Sequence, residues 1–548
     1  MRSRLAAAAT LLLVAACSST SDQLGEAAPT SDSRSAAGTS TLSEPSSVAD
    51  TSATSGETVV DSAAPADDGM VVVNAASAGT PLPRSLFGVN VPAWITAYAL
   101  SIEPMLPRIQ ALGAPTIRMP GGSWSSSYSW LGCERGNEDC YWPWAQKPSD
   151  FITLMDNMDA AGIWTVSINA TAQEAAALVA FFRGSIDDDR PIGTDRYGVD
   201  WSTVSTWARL RTERGHPEPA PVMEYEIGNE VYGAKPDAGP NCASFGWEDA
   251  WTCDGSEYVT GNDEHDGFLD IATAMKAVDP DIRIGLVGTA SPDDWTAFGR
   301  EALDAAGDAA DFYIVHDYPF TASPSVEDVA TAAEERWPGI ADAVEEVAGR
   351  SIEVAVTEFN LVAFLDGDGE ATMSSALSML FYADSLGQMA SSGIDAASFW
   401  NLANGRGSTG ADYGLIHEND ITRAPAYYAL ALWTRMGSTL LPADVGFDDD
   451  ELTAYASRAD DGTVRLIVVN KSANELPITF RLDGAHPTGA TMDAAVADDA
   501  TAETVEFNGS ADPPDDLSGP ASTTLEVSGN DVDATIAPWS ITLVTVTV

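Results

Sequence analysis

Two segments of this chain carry residue types that can break a bond. The first, VMEYEIGNEVYG (222–233), runs through apolar and aromatic positions to Asn229 and Glu230. The second, IEVAVTEFNLV (352–362), does the same and meets Glu358. A carboxylate at the end of a buried strand is costly to desolvate and needs a partner or a use. Either glutamate alone could be an ion-pair partner. Two of them, 128 residues apart in a chain of alternating strands and helices, suggest paired carboxylates. Such pairs hydrolyse glycosidic bonds, one group handling the proton and the other the sugar carbon.

The elements that would position them form a regular series. Eight short, nearly continuous apolar runs lie at 86–91, 115–122, 164–170, 222–230, 282–288, 311–319, 352–360 and 396–402. Runs of this kind suit strands covered on both faces. Helical patterns precede most of them, for example at 101–113, 150–162, 202–215, 264–278, 325–337 and 375–393, several ending in Gly. The series predicts a TIM (β/α)8 barrel over 85–424. A doubly wound sheet is the competitor, but no GxGxxG loop follows the first strand. From 425 to 548 the pattern becomes short β-rich runs such as GTVRLIVVN and SITLVTVTV, separated by Gly, Asp and Pro. This predicts an antiparallel β-sandwich, joined by an N-terminal strand within 69–84 (MVVVNAA).

The opening MRSRLAAAATLLLVAAC has arginines, an apolar stretch and small residues before Cys17, the pattern of an export signal. VAAC resembles a bacterial lipobox, so residues 1–17 are expected to be a lipoprotein signal with Cys17 the lipidated residue. An ordinary signal cleaved nearby is the alternative. Residues 18–68 are mostly Ser, Thr, Ala, Asp, Gly and Pro. They lack the apolar side chains to offset the entropy of ordering and are expected to be a tether. The expected location is the outer face of the cell membrane, reached through the lipid anchor alone.

The formal net charge is −55, with four lysines in 548 residues. That argues against nucleic acid as a partner of the folded body. Four further cysteines, an even number in an exported chain, favour disulfides, and the spacings favour Cys133–Cys140 and Cys242–Cys253. A zinc site is the alternative, but no CxxC or histidine pairing supports it, and neither metal nor cofactor is expected.

Strand C-termini line the mouth of a TIM barrel. The ends here bear Asn90, Arg118, Asn169, Asn229, Glu230, His316, Tyr318, Glu358 and Trp400. Carboxylates suit the bond chemistry, amides and Arg suit hydroxyls, and an aromatic ring suits the apolar face of a sugar. The GNE on the fourth strand and the glutamate on the seventh resemble glycoside hydrolase clan A. The blocks WARLRTERGHPEPAPVMEYEIGNEVYG (207–233) and IRMPGGSWSSSYSW (117–130) resemble family 51, the α-L-arabinofuranosidases, over roughly 70–548.

That resemblance implies a retaining α-L-arabinofuranosidase acting on arabinose-containing poly- or oligosaccharides. Glu230 would be the general acid/base, with a raised pKa, and Glu358 the ionised nucleophile. Asn229 would bind the sugar 2-hydroxyl, Arg118 and Tyr318 would hold Glu358, His316 would support the pair, and Trp400 would flank the sugar. Two departures from the family pattern put the exact sugar in doubt. Ser123 stands where Asn usually follows PGG, and TEF (357–359) stands for DEW. Another clan A activity, such as a β-glucuronidase, β-xylosidase or endoglucanase, is the runner-up. A glycan-binding lipoprotein without turnover is the alternative of another class. Oligomeric state is not encoded in these motifs.

Overall fold

The computed structural model describes residues 62–137 and 139–548. The signal, Cys17 and nearly all of the 18–68 segment lie outside the described residues. The eight apolar runs form eight parallel strands: β1 Gly88–Asn90, β2 Thr116–Met119, β3 Ala161–Val166, β4 Val222–Ile227, β5 Arg283–Val287, β6 Phe312–Asp317, β7 Glu353–Phe359 and β8 Ala396–Phe399. They close into a barrel in chain order, β8 pairing with β1. Their side chains are buried along most of their length because helices cover the outer face.

One irregularity matters for the site. Val315 of β6 pairs with Val356 of β7, but the next residue, His316, pairs with Glu358. The same extra residue of β7 appears against β8, where Ala397 pairs with Val356 and Phe399 with Phe359. A bulge therefore takes up Thr357, and it brings Glu358 level with His316.

The helices predicted from sequence are present, for example Met105–Leu112, Pro148–Met158, Val204–Glu213 and Ala376–Ser391. The helix Ala172–Arg183 was not anticipated. Nine of its twelve residues are buried, so it has no polar stripe for periodicity to reveal. Pro425–Trp433, within the range expected to be sandwich, is a helix buried at every position, and it packs beside Ala376–Ser391. It completes the helical layer after β8, so the sheet domain starts at Thr439 rather than at 425.

That domain is one continuous path of paired strands, with Ala443–Val445 near one end and Thr80–Pro81 at the other. It closes over a core that includes Val71, Val73, Phe480, Leu466 and Val544. The expected N-terminal strand, Met70–Asn74, does join it. It runs parallel to Leu476–Asp483 and antiparallel to Ala443–Val445, so the sheet is mixed rather than purely antiparallel. Lys471 ties the two domains together, with Nζ 2.6 Å from Glu334 and 2.7 Å from Asp384, both on barrel helices. Among the described residues, no helix is long and apolar enough to cross a membrane.

Candidate active site

The site is organised by one guanidinium. Arg118, on β2, is fully buried, and all five of its N–H groups have acceptors. Nε donates to Glu226 at 2.7 Å. Nη1 donates to Asn90 Oδ1 at 2.8 Å and to Glu358 Oε2 at 3.0 Å. Nη2 donates to Asn229 Oδ1 at 2.9 Å and reaches His316 Nε2 at 3.3 Å. Residues from β1, β2, β4, β6 and β7 thus meet at a cation that must stay charged. Burial alone would lower its pKa, but the charges of Glu226 and Glu358 outweigh that and raise it.

Glu358 also accepts from the Tyr318 hydroxyl at 2.7 Å. Burial, then the Glu358 charge, pushes the Tyr318 phenol well above its usual range, so it remains a donor. Glu230 follows β4 with left-handed backbone (φ 40°), a conformation that a non-glycine residue holds only where its surroundings fix it. Its Oε2 accepts from Trp247 Nε1 at 2.6 Å, and its Oε1 lies 3.2 Å from His316 Nδ1. One carboxylate oxygen each of Glu230 and Glu358 and a ring nitrogen of His316 all lie within 4.8 Å of one another. This is the close spacing of a nucleophile and an acid/base, not the wider spacing that admits a water between them. The same three groups could offer ligands to a cation. However, Arg118 already bonds two of them, and its charge opposes a second cation there.

The proton inventory differs from the sequence expectation. At Glu230 burial pushes the pKa up, but the His316 hydrogen bond and charge, the Trp247 N–H and Arg118 outweigh it and bring it down. At Glu358 burial and the Glu230 charge prevail over His316, Arg118 and Tyr318, and the pKa rises. His316 enters both balances, and its ring lies between Arg118 and Glu230. A guanidinium N–H can only donate, so Nε2 accepts from Arg118 and the ring proton sits on Nδ1, facing Glu230. With a neutral ring the permanent cation decides. Arg118 bonds Glu358 and not Glu230, so its permanent charge favours the ionised form of Glu358 over that of Glu230.

The remaining predicted residues fall as follows. Asn229 is buried and held at both ends, by Arg118 and, through Nδ2, by Glu248 Oε1 at 2.9 Å. Trp400 follows β8 and packs over the PGG turn. A Cβ at Gly122 (φ 62°) would lie 2.5 Å from the Trp400 ring, which is why that turn needs glycine. Both disulfides pair as expected, Cys133–Cys140 and Cys242–Cys253. Asn169 braces two mouth segments through Ser126 O and Asp249 O. In the loop after β8, which the sequence motifs do not assign, Asp412 is paired with His417, and the Tyr413 hydroxyl donates to Ala363 O.

Three residues at the site escaped sequence reasoning: Glu226, Trp247 and Glu248. Glu226 had a signal, a carboxylate in the middle of an apolar strand. Trp247 and Glu248 sit in the irregular insertion between Cys242 and Cys253, where no periodicity marks function. Glu248 is fully buried and also accepts from the Ser123 and Ser126 hydroxyls. Burial and the Glu230 charge push its pKa up to about 8, so it is a neutral acid at neutral pH.

This barrel and sheet domain have solved counterparts. The GH51 α-L-arabinofuranosidase of Thermotoga petrophila RKU-1 superposes with a TM-score of 0.66 at 21% identity, over 87% of this chain and all of the other. An α-L-arabinofuranosidase of Thermotoga maritima, solved as an arabinose complex, gives 0.64 at 20% over the same shares. A Paenibacillus polymyxa xyloglucanase from GH family 44, solved with xyloglucan, gives 0.58 at 13%, over 87% of this chain and 99% of the other. The chain thus has the fold shared by these glycoside hydrolases and resembles family 51. No family model matches the sequence, and no curated protein is recognisably similar to it.

Proposed function

We propose that this protein is a retaining glycoside hydrolase whose substrates carry α-L-arabinofuranosyl residues. The observation that carries the reading is the pair Glu230–Glu358, within 4.8 Å, with a buried guanidinium bonded to one member only. In the first step a Glu358 oxygen attacks the anomeric carbon and the bond to the leaving oxygen breaks. That oxygen takes the Glu230 proton. In the second step a water attacks the same carbon, gives its proton to Glu230 and releases Glu358 as a carboxylate. Arg118 and Tyr318 orient Glu358 and favour its ionised form. The Asn229 amide, fixed by Arg118 and Glu248, presents its remaining N–H to the sugar. The arabinofuranosyl preference is supported by the family 51 motif blocks and by the solved structures of that name.

We also propose that the chain is exported and held at the outer membrane face by lipid on Cys17, a reading supported by VAAC and the segment behind it. Nitrophenyl glycosides of arabinofuranose, xylose, glucuronate and glucose test the enzymatic reading. The expected result is nitrophenol release from the arabinofuranoside above all others. Release from another sugar alone would move the protein to another clan A activity. Binding of arabinan without release from any glycoside would make it a glycan-binding protein.

A further inference from the structure

The barrel mouth carries a row of aromatic rings that the catalytic pair does not use. Trp400, after β8, lies 5.8 Å (ring centroids) from Trp94, which follows β1. Trp94 lies 5.1 Å from Trp124, after β2. Trp124 stacks on Trp142 at 3.8 Å and meets the edge of Trp144 at 5.4 Å. Tyr141 continues from Trp142 at 4.8 Å. The row starts at a ring beside the site and ends in rings open to solvent, Trp144 at 50% and Tyr141 at 76% exposure. Large apolar rings kept out of the core in a contiguous patch mark a binding surface.

The patch is also held in place. Cys133–Cys140 closes the loop just before it. The Gln146 N–H donates to Ala93 O at 2.9 Å, joining this segment to the one that bears Trp94. Its direction follows from the barrel order. The strands β8, β1 and β2 are neighbours, and β4 and β5 lie across the mouth from them. Glu230 follows β4, and its partner Trp247 packs there with Phe245 and with Trp295, which follows β5. The leaving group must sit beside the acid, hence on the β4–β5 side. The row lies on the other side, continuing from the sugar that Glu358 attacks.

We propose that the row from Trp94 to Tyr141 is a binding track for further sugar units attached on the non-reducing side of the sugar under attack, so that the enzyme cuts within a glycan chain rather than only at its end. The flat rings offer stacking for the apolar C–H faces of successive sugars, and a prefixed track loses little entropy on binding. This rests on the glycosidase reading. It replaces the terminal action that a single-sugar pocket would give.

The test uses nitrophenyl glycosides carrying one, two or three arabinofuranosyl units, with nitrophenol always the leaving group. The full chain is compared with a Tyr141→Ala/Trp144→Ala variant, both positions being exposed and outside the catalytic cluster. The expected result is that kcat/KM rises at least about tenfold from one unit to three, the equivalent of about 1.4 kcal/mol. In the variant most of that rise should vanish, through KM, while the one-unit value stays within about twofold. A wild-type rate independent of length, or a variant loss equal at all lengths, would overturn the track. If no glycoside is cleaved, the glycosidase reading fails on its own account. Quenching of tryptophan fluorescence by unlabelled arabinotriose then decides the track: binding that disappears in the variant supports it, and no binding to the wild type overturns it.

Discussion

Glu358→Gly and Glu230→Ala should fail in different ways, and azide should expose the difference. Glu358 is 6% exposed, and its carboxylate is held by Arg118 Nη1 at 3.0 Å and Tyr318 OH at 2.7 Å. Truncation removes the proposed nucleophile, and turnover should fall by on the order of 10⁵-fold, about 7 kcal/mol of barrel-mouth chemistry. The vacated space keeps two donors facing an anion. Azide, small and negative, fits there and should attack a substrate with a good leaving group to give a glycosyl azide of inverted configuration. Glu230 contributes proton transfer, so Glu230→Ala should lose about 10²–10⁴-fold. With an activated leaving group its first step survives and the second stalls for want of a base. Azide needs no base and should restore turnover with retained configuration. The assay is nitrophenol release with and without azide, followed by NMR of the anomeric centre. The same anomer from both variants would refute the assignment of roles. So would a Glu230→Ala loss that is equal on activated and unactivated substrates.

Gly122→Ala places a methyl 2.5 Å from the Trp400 ring at φ 62°, and should cost about 1–3 kcal/mol in stability with a KM increase as that ring shifts; an unchanged denaturation midpoint would contradict the packing argument. Glu248 keeps its proton in the folded state up to about pH 8, whereas the unfolded chain releases it near 4.3. Between those values the folded state binds the extra proton, so stability falls as pH rises and levels off above 8. Glu248→Gln removes that loss: its unfolding free energy from urea titration should match the wild type near pH 4 and exceed it by about 1 kcal/mol or more at pH 8, and a gap that is constant with pH would rule this out. Cys17→Ser should move the protein from the membrane fraction to the medium or periplasm, and unchanged membrane association would remove the lipid-anchor reading.

The sequence by itself determined the barrel and singled out the two carboxylates at its mouth. Eight apolar runs have strand length because each must be covered on both faces, and that demand is written in consecutive residues. Glu230 and Glu358 stood out for the same reason, as charges where the local pattern demands none. Both disulfides were legible because each closes a short loop. Local pattern failed where burial is decided by distant parts of the chain. Ala172–Arg183 and Pro425–Trp433 are covered on nearly every face by neighbours, so they lost the amphipathic stripe that announces a helix. Met70–Asn74 takes a parallel partner some 400 residues away, and nothing in its own residues specifies that orientation. Only the tertiary structure decided the electrostatics. The five acceptors of Arg118 come from four other strands, Glu248 arrives from an irregular insertion, and the bulge at Thr357 sets Glu358 level with His316. Which carboxyl holds the shared proton depends on those distances of a few ångströms, because Coulomb energies in a desolvated site change steeply over that range.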